Sequence, residues 1–278
     1  MLAVIILMMV LNLFAIVSLL YLLLLVRPGK KWKKEHDGLL CEYAHRGLHG
    51  NGVPENSLAA FSLACESGFG IELDVQLSSD GEVMVFHDAT LSRMTGCEKK
   101  LCELSAEELQ SLRLKDTAET IPTFRQVLEL VGGRVPLLIE LKGESTNVDL
   151  CPKVASLLKD YEGPFCMESF NPLLVRGIRK CLPEVPCGQL YTNLCRDQKK
   201  RSLRNILLTS MALNFLARPH FIAYNQLDRN SFPVRLATEF YSAPKFVWTV
   251  RSEEELTRAR SLEECAIFEK SLDIPSGT

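Results

Sequence analysis

Beyond residue 39 the chain is punctuated by short apolar runs of strand length: LLCEYAH, IELDVQL, PLLIELK, PFCMES, PCGQLY, FIAYN, KFVWTV and CAIF. Segments with helical spacing lie between most of them. NSLAAFSLACESG, TFRQVLELVGG and SEEELTRARS each open on an Asn, Thr or Ser cap, and two end in Gly. Eight strands alternating with helices predict an α/β fold, a parallel (β/α)8 TIM barrel over residues 40–278. An open doubly wound sheet would want a Gly-x-Gly-x-x-Gly turn after the first strand, and none is present. The alternation breaks once, between strands two and three, where an insertion runs from Leu77 to Ile121. It begins as a hairpin through Asp80-Gly81 into VMVFH and continues as charged, loop-like sequence. A connection this long inside a compact domain is usually functional, and in a barrel the loops after the strands build the active-site face.

The N-terminus has a different pattern. Leu2 to Val26 carries no charge, and at ~1.5 Å per residue it exceeds the ~30 Å hydrocarbon thickness of a bilayer. The basic start and small-residue cleavage site of a signal peptide are missing, and the run ends in RPGKKWKK, so an uncleaved anchor is expected. The division predicted is a transmembrane helix over 1–26, a basic juxtamembrane linker over 27–39 and the barrel over 40–278. Arg27, Lys30, Lys31, Lys33 and Lys34 place the downstream flank, and the barrel with it, in the cytoplasm. Removing those five charges from the chain's net −2 leaves about −7, which argues against nucleic acid as a partner. The ten cysteines, Cys65, Cys97, Cys102, Cys166 and Cys187 among them, contain no Cys-x-x-Cys pair and read mostly as buried free thiols of a reducing compartment.

Chemistry concentrates at the ends of the first three strands. In GIELDVQL, Glu72 and Asp74 share one strand face while Ile71, Leu73 and Val75 share the other. Two neighbouring carboxylates disfavour joint ionisation and call for a shared proton, a basic partner or a cation. In PLLIELK, Glu140 and Lys142 repeat the two-residue spacing. Glu72, Asp74 and Glu140 meeting at a barrel mouth would form a hard oxygen site suited to Mg²⁺ or Ca²⁺. His45 and His87 fall beside it and suit proton exchange near neutral pH, and Arg46 and Lys142 add fixed positive charge. A divalent ion, two histidines, an Arg and a Lys describe a phosphate-ester site better than a sugar or acyl-transfer site.

AHRGLHGNGVPENSLAAF followed by IELDVQLSSDGEVMVFHDATLSRMTG resembles the glycerophosphodiester phosphodiesterase family, and IPTFRQVLEL, PLLIELK, ESFNP and VWTV are similar to its later blocks in the same order. The resemblance covers Tyr43 to Val250. It implies a metal-dependent (β/α)8 barrel that releases glycerol 3-phosphate and an alcohol. Residue by residue, it implies Glu72, Asp74 and Glu140 as metal ligands, His45 and His87 as the acid/base pair, Arg46 and Lys142 on phosphate oxygens, Glu55 in a supporting place and Trp248 near the glycerol. It also implies that the glycerol 2-hydroxyl acts as nucleophile, giving a cyclic phosphate before water opens it. The C-terminal end departs from the pattern: Arg251 stands where Asn is common after WTV, and CAIFEKSLDIP replaces an Ile-Thr-Asp-x-Pro block. Glu168, where Gln is frequent, is expected to add negative charge near the mouth.

A lysophospholipase D activity on lysolipids is the alternative within enzymes, favoured by the anchor. A non-catalytic membrane protein that binds phosphodiesters is the alternative from another class. It predicts loss of a metal or proton-transfer residue, whereas all five are present.

Overall fold

On β2 and β4 the outward side chains are Ile, Leu and Val, while along the barrel strands the inward ones change character from one end to the other. In the computed structural model, which describes residues 1–25, 27–29, 32–143 and 147–269, nine strands form one sheet. They are β1 (Tyr43–Ala44), β2 (Gly70–Leu77), β3 (Val83–Val85), β4 (Leu137–Leu141), β5 (Phe165–Ser169), β6 (Cys187–Tyr191), β7 (Phe221–Asn225), β8 (Lys245–Val250) and β9 (Cys265–Phe268). Eight run parallel, and β1 pairs with both β2 and β9 to close the predicted barrel. The ninth, β3, lies antiparallel to β2 with Val75 opposite Val85, as the hairpin through Asp80-Gly81 requires.

Outside the barrel, Ile71, Leu73, Val75, Leu137 and Ile139 pack beneath the helices, against Phe61, Val127 and Val131. The helix Phe124–Val131 opens on a capping box between Thr123 and Gln126 and stops at Gly132 in the left-handed region. The helix Leu58–Glu66 is capped by Ser57, not by the Asn56 that the sequence also offers. Asn56 has turned into the barrel instead.

Inside, the floor half is apolar: Tyr43, Leu138, Cys166, Phe221, Phe246 and Ile267 form one buried cluster, with the Phe221 and Phe246 rings 4.3 Å apart. Two residues further along the same strands, the inward positions become His45, Glu140, Glu168, Trp248 and Glu269. Below, the floor is closed by the preceding segment. Lys34–Leu39 forms a 3-10 helix, Leu39 is buried, and the Tyr43 hydroxyl donates to the Leu39 carbonyl at 2.8 Å. Trp32 packs edge-on against Phe221 at 6.2 Å, and the Gly29 N–H donates to the Pro219 carbonyl at 2.7 Å. The described part of segment 27–39 therefore lies on the barrel and is not a free tether.

The helix Leu2–Leu20 continues through a π turn, Tyr21–Leu25, and its stretch Leu2–Leu23 is long and apolar enough to cross a membrane, with a mean hydropathy of 2.8. None of the Leu2–Leu20 residues is buried. Its base is docked: the Tyr21 hydroxyl donates to the Ser210 carbonyl at 2.7 Å, the Tyr21 ring stacks on Phe232 at 6.4 Å, and the Tyr241 hydroxyl donates to the Leu22 carbonyl. Val26, Lys30 and Lys31, at the end of the predicted anchor and in its basic flank, lie outside the described residues, as do residues 270–278.

Two expectations need correction. The insertion is not loop-like throughout: it folds short helices at Ser92–Thr95 and Ala106–Ser111, and Met84, Phe86, Leu91, Met94, Leu101, Leu109 and Ile121 give it a hydrophobic cluster separate from the barrel's. All ten cysteines are free, but only Cys151, Cys166 and Cys187 are fully buried, while Cys102 and Cys181 are exposed.

Candidate active site

Parallel pairing of β2 with β4 sets Asp74 opposite Glu140, and the period of two brings Glu72 to the same face. Carboxylate oxygens of Glu72, Asp74 and Glu140 lie within 4.8 Å of one another, all buried, in a group able to hold a metal ion. Lys142, just beyond β4, places its ammonium 2.9 Å from Asp74 Oδ1 and 2.8 Å from Glu140 Oε2.

After the two residues of β1 the chain reverses at once. Arg46 and Gly47 both adopt positive φ, and at Gly47 a Cβ would come within 2.9 Å of Ala60. The reversal aims the Arg46 N–H at Glu72 Oε2, at 2.9 Å, and the guanidinium at Glu55 Oε1, at 2.8 Å, with Nε 3.5 Å from Asp74 Oδ2. Asn56, buried and itself at positive φ, donates to Asp74 Oδ2 at 2.8 Å.

The two histidines have matching arrangements. His45 Nδ1 lies 2.7 Å from Glu269 Oε1, and its Nε2 lies 3.9 Å from Glu72. His87 Nδ1 lies 2.6 Å from Asp88 Oδ1. Each carboxylate thereby fixes the tautomer that leaves Nε2 free. Arg251 holds Glu269 at 2.8 Å and Arg93 holds Asp88 at 2.5 Å. The Gln76 amide ties down the loop by donating to the carbonyls of Phe86, His87 and Asp88. Trp248 anchors its indole N–H on the Ala223 carbonyl at 3.1 Å and presents its ring to Phe170, 5.6 Å away.

Negative charge is in excess here. Glu72, Asp74 and Glu140 are buried against two inward cations, Arg46 and Lys142. Burial, reinforced by Asp74 and Glu140, pushes the Glu72 carboxyl well above the usual range, and burial lifts Glu140 to about 7 against the pull of Lys142. Asp74 goes the other way: burial opposes its ionisation, but Lys142, His87 and Arg46 together hold it below the ordinary value. A divalent ion among these oxygens would relieve the repulsion, so the donor set fits one. Glu168 corrects an expectation. Burial and the neighbouring Glu140 raise its carboxyl well above the usual range, which favours the neutral acid over an added negative charge. Burial also lowers both His45 and His87.

The nine residues assigned a role from the sequence, His45, Arg46, Glu55, Glu72, Asp74, His87, Glu140, Lys142 and Trp248, line this mouth or stand directly behind it. Five that reasoning from the sequence did not assign belong with them: Asn56, Gln76, Asp88, Arg93 and Glu269. Glu269 had a signal, since CAIFE places it on the inward face with Ile267. Glu55 carries a pH prediction. Burial alone would raise it, but Arg93 and Arg46 bring it down to about 2. The unfolded chain, with Glu near 4.5, then binds the extra proton first, so this contribution to stability is complete above about pH 4.5 and is lost as pH falls toward 2. Glu55→Gln should flatten that part of the acid-unfolding profile followed by circular dichroism. An unchanged profile would show that the Glu55 pairing adds nothing to folding.

Residues 45–269 match the Glycerophosphoryl diester phosphodiesterase family. A glycerophosphodiester phosphodiesterase of Caldanaerobacter subterraneus subsp. tengcongensis is 39% identical over 53% of this chain and 65% of its own length, so the chain matches just under two thirds of that relative. YhdW of Bacillus subtilis, named provisionally for the same activity, is 29% identical over 79% of this chain and 89% of its own. Lysophospholipase D GDPD1 of Rattus norvegicus is 32% identical over 50% of this chain and 48% of its own. Among solved structures, an Oleispira antarctica phosphodiesterase in complex with sn-glycerol-3-phosphate shares the fold, with a TM-score of 0.67 and 24% identity over 82% of this chain and 92% of its own. The glycerophosphodiester phosphodiesterase of Thermotoga maritima follows at 0.62 and 26%, over 83% and 94%. The chain belongs to the glycerophosphoryl diester phosphodiesterase family.

Proposed function

We propose that this chain is a metal-dependent phosphodiesterase that hydrolyses glycerophosphodiesters to glycerol 3-phosphate and an alcohol. One observation carries the reading: the buried carboxylate trio, two fixed cations and two carboxylate-backed histidines converge on a single barrel mouth. Glu72, Asp74 and Glu140 would hold one divalent cation, Mg²⁺ or Ca²⁺, which when bound polarises the phosphoryl group. Arg46 and Lys142 neutralise phosphate oxygens as charge builds on them. One histidine takes a proton from the nucleophile through its free Nε2, and the other delivers one to the leaving alcohol. The nucleophile is the glycerol 2-hydroxyl, whose attack expels the alcohol and leaves a cyclic phosphate. The same two histidines, with roles exchanged, then deprotonate water and protonate the ring oxygen, which opens the cyclic phosphate to glycerol 3-phosphate. The indole of Trp248 beside Phe170 gives the glycerol an apolar wall.

Lysolipids are a second substrate class, supported by the anchor-like helix and by the likeness to a lysophospholipase D. In this reading Leu2–Leu23 is a membrane span and the basic flank keeps the barrel cytoplasmic. An impermeant reagent applied to intact cells should leave a C-terminal tag unlabelled. Turnover of a glycerophosphodiester and a lysolipid by the full chain should be abolished by a chelator and restored by Mg²⁺ or Ca²⁺. Activity that persists in excess chelator would overturn the metal assignment, and inertness toward both substrates would overturn the enzyme.

A further inference from the structure

Four of the large apolar side chains left exposed on the barrel belong to the connections that meet the base of the N-terminal helix. Leu203 is 72% exposed, Ile206 48%, Leu227 76% and Phe232 64%. Leu203 opens the helix Leu203–Thr209 after β6, Leu227 lies in the turn Gln226–Asp228 directly after β7, and Phe232 opens the helix Phe232–Arg235. All therefore belong to connections that leave the mouth ends of strands. The N-terminal helix meets the barrel at this edge, with Tyr21 stacked on Phe232 and bonded to Ser210 at the end of Leu203–Thr209. Followed backwards, the chain climbs from the floor, where Gly29 bonds Pro219 and Trp32 packs on Phe221, to Tyr21 beside Phe232. The helix continues from there in the mouthward sense.

A second observation concerns charge. The connection after β6 reads RDQKKRSLR, and Arg196 alone of its cations is engaged, by Asp197 and Asp228. Lys199, Lys200, Arg201 and Arg204 are exposed, and none is ion-paired among the described residues. Four free cations flanking four bare apolar side chains match a lipid surface with anionic head groups, where apolar groups enter the interface and Lys and Arg stay with the phosphates. Water alone would favour neither the exposed Phe nor the exposed leucines.

We propose that this edge of the mouth is a membrane seat. Leu203, Ile206, Leu227 and Phe232 enter the interfacial layer of an anionic leaflet, Lys199, Lys200, Arg201 and Arg204 contact its head groups, and the active site opens at the lipid surface. The inference rests on reading Leu2–Leu23 as a membrane span. It adds an orientation that an anchor alone does not give.

The test uses the full chain in phosphatidylcholine vesicles containing phosphatidylserine and brominated acyl chains. Leu227→Trp and Phe232→Trp report contact as quenching beyond that of the parent's Trp32 and Trp248. Leu262→Trp, at the floor end where Lys245 reaches the Leu262 carbonyl, is the control. Quenching at the first two positions and not at the third is expected. Replacing Lys199, Lys200, Arg201 and Arg204 together with alanine should lower turnover of a vesicle-borne lysolipid about tenfold and leave a water-soluble glycerophosphodiester unaffected. Protein that floats with the vesicles but shows no rim quenching overturns the seat and leaves the membrane reading standing. Protein that does not float overturns both.

Discussion

Replacing Glu72 with glutamine is expected to abolish turnover and divalent-ion binding together. The substitution keeps the shape and the acceptor that meets the Arg46 N–H at 2.9 Å, but removes one of three converging carboxylates. Two acids with Lys142 already between them make a poor site for a hard cation. The fold should not suffer. Burial, with Asp74 and Glu140, drives Glu72 toward neutrality, so a neutral amide relieves repulsion. The ion-free variant should melt at or above the parent's temperature, while the rise in Tm that Mg²⁺ or Ca²⁺ gives the parent disappears. Calorimetric titration and melting with and without the ion measure both. A variant that still melts higher with the ion would remove Glu72 from the ligand set.

His45→Ala and His87→Ala should each reduce kcat about 10²-fold or more, since positioned proton transfer commonly supplies that much. Ion binding should survive in both, because neither ring belongs to the carboxylate group. The losses should differ in pH dependence, as one variant keeps only the base and the other only the acid. Glu269→Gln and Asp88→Asn should reproduce part of each loss by releasing the ring from its 2.7 Å or 2.6 Å contact. If either histidine variant retains most of the parent's rate, the acid/base pairing is wrong.

The barrel was legible because its information is periodic. Alternation in IELDVQL and PLLIELK already separates an outward apolar face from an inward polar one, and it fixes Glu72, Asp74, Glu140 and Lys142 on the inward side. Contacts that cross the closed sheet were not legible. Glu269 lies 224 residues from His45, and only the pairing of β1 with β9 makes them neighbours. Arg251, and Glu269 within the CAIFEKSLDIP block, fall at two of the places where the chain departs from the family pattern, and they prove to be one ion pair behind His45. Asn56 looked like a helix cap because Asn and Ser both suit that position, and local sequence cannot tell that Ser57 takes the cap and frees Asn56 for Asp74. The cluster inside the insertion was missed for a related reason: its apolar residues are spaced by short helices and turns, with no sustained period.

That cluster divides the proposed acid/base pair between two hydrophobic clusters that meet at β3. His45 stands on the barrel proper, whereas His87 follows Phe86 out of the insertion's own core. Regions with distinct cores open with distinct free energies, and the smaller one gives way first. Mild denaturant or heat can then uncouple His87 from His45 while the eight-stranded ladder still protects its amides from exchange. Loss of the proposed activity would track the loosening of a joint, and would precede the melting of the barrel that carries it.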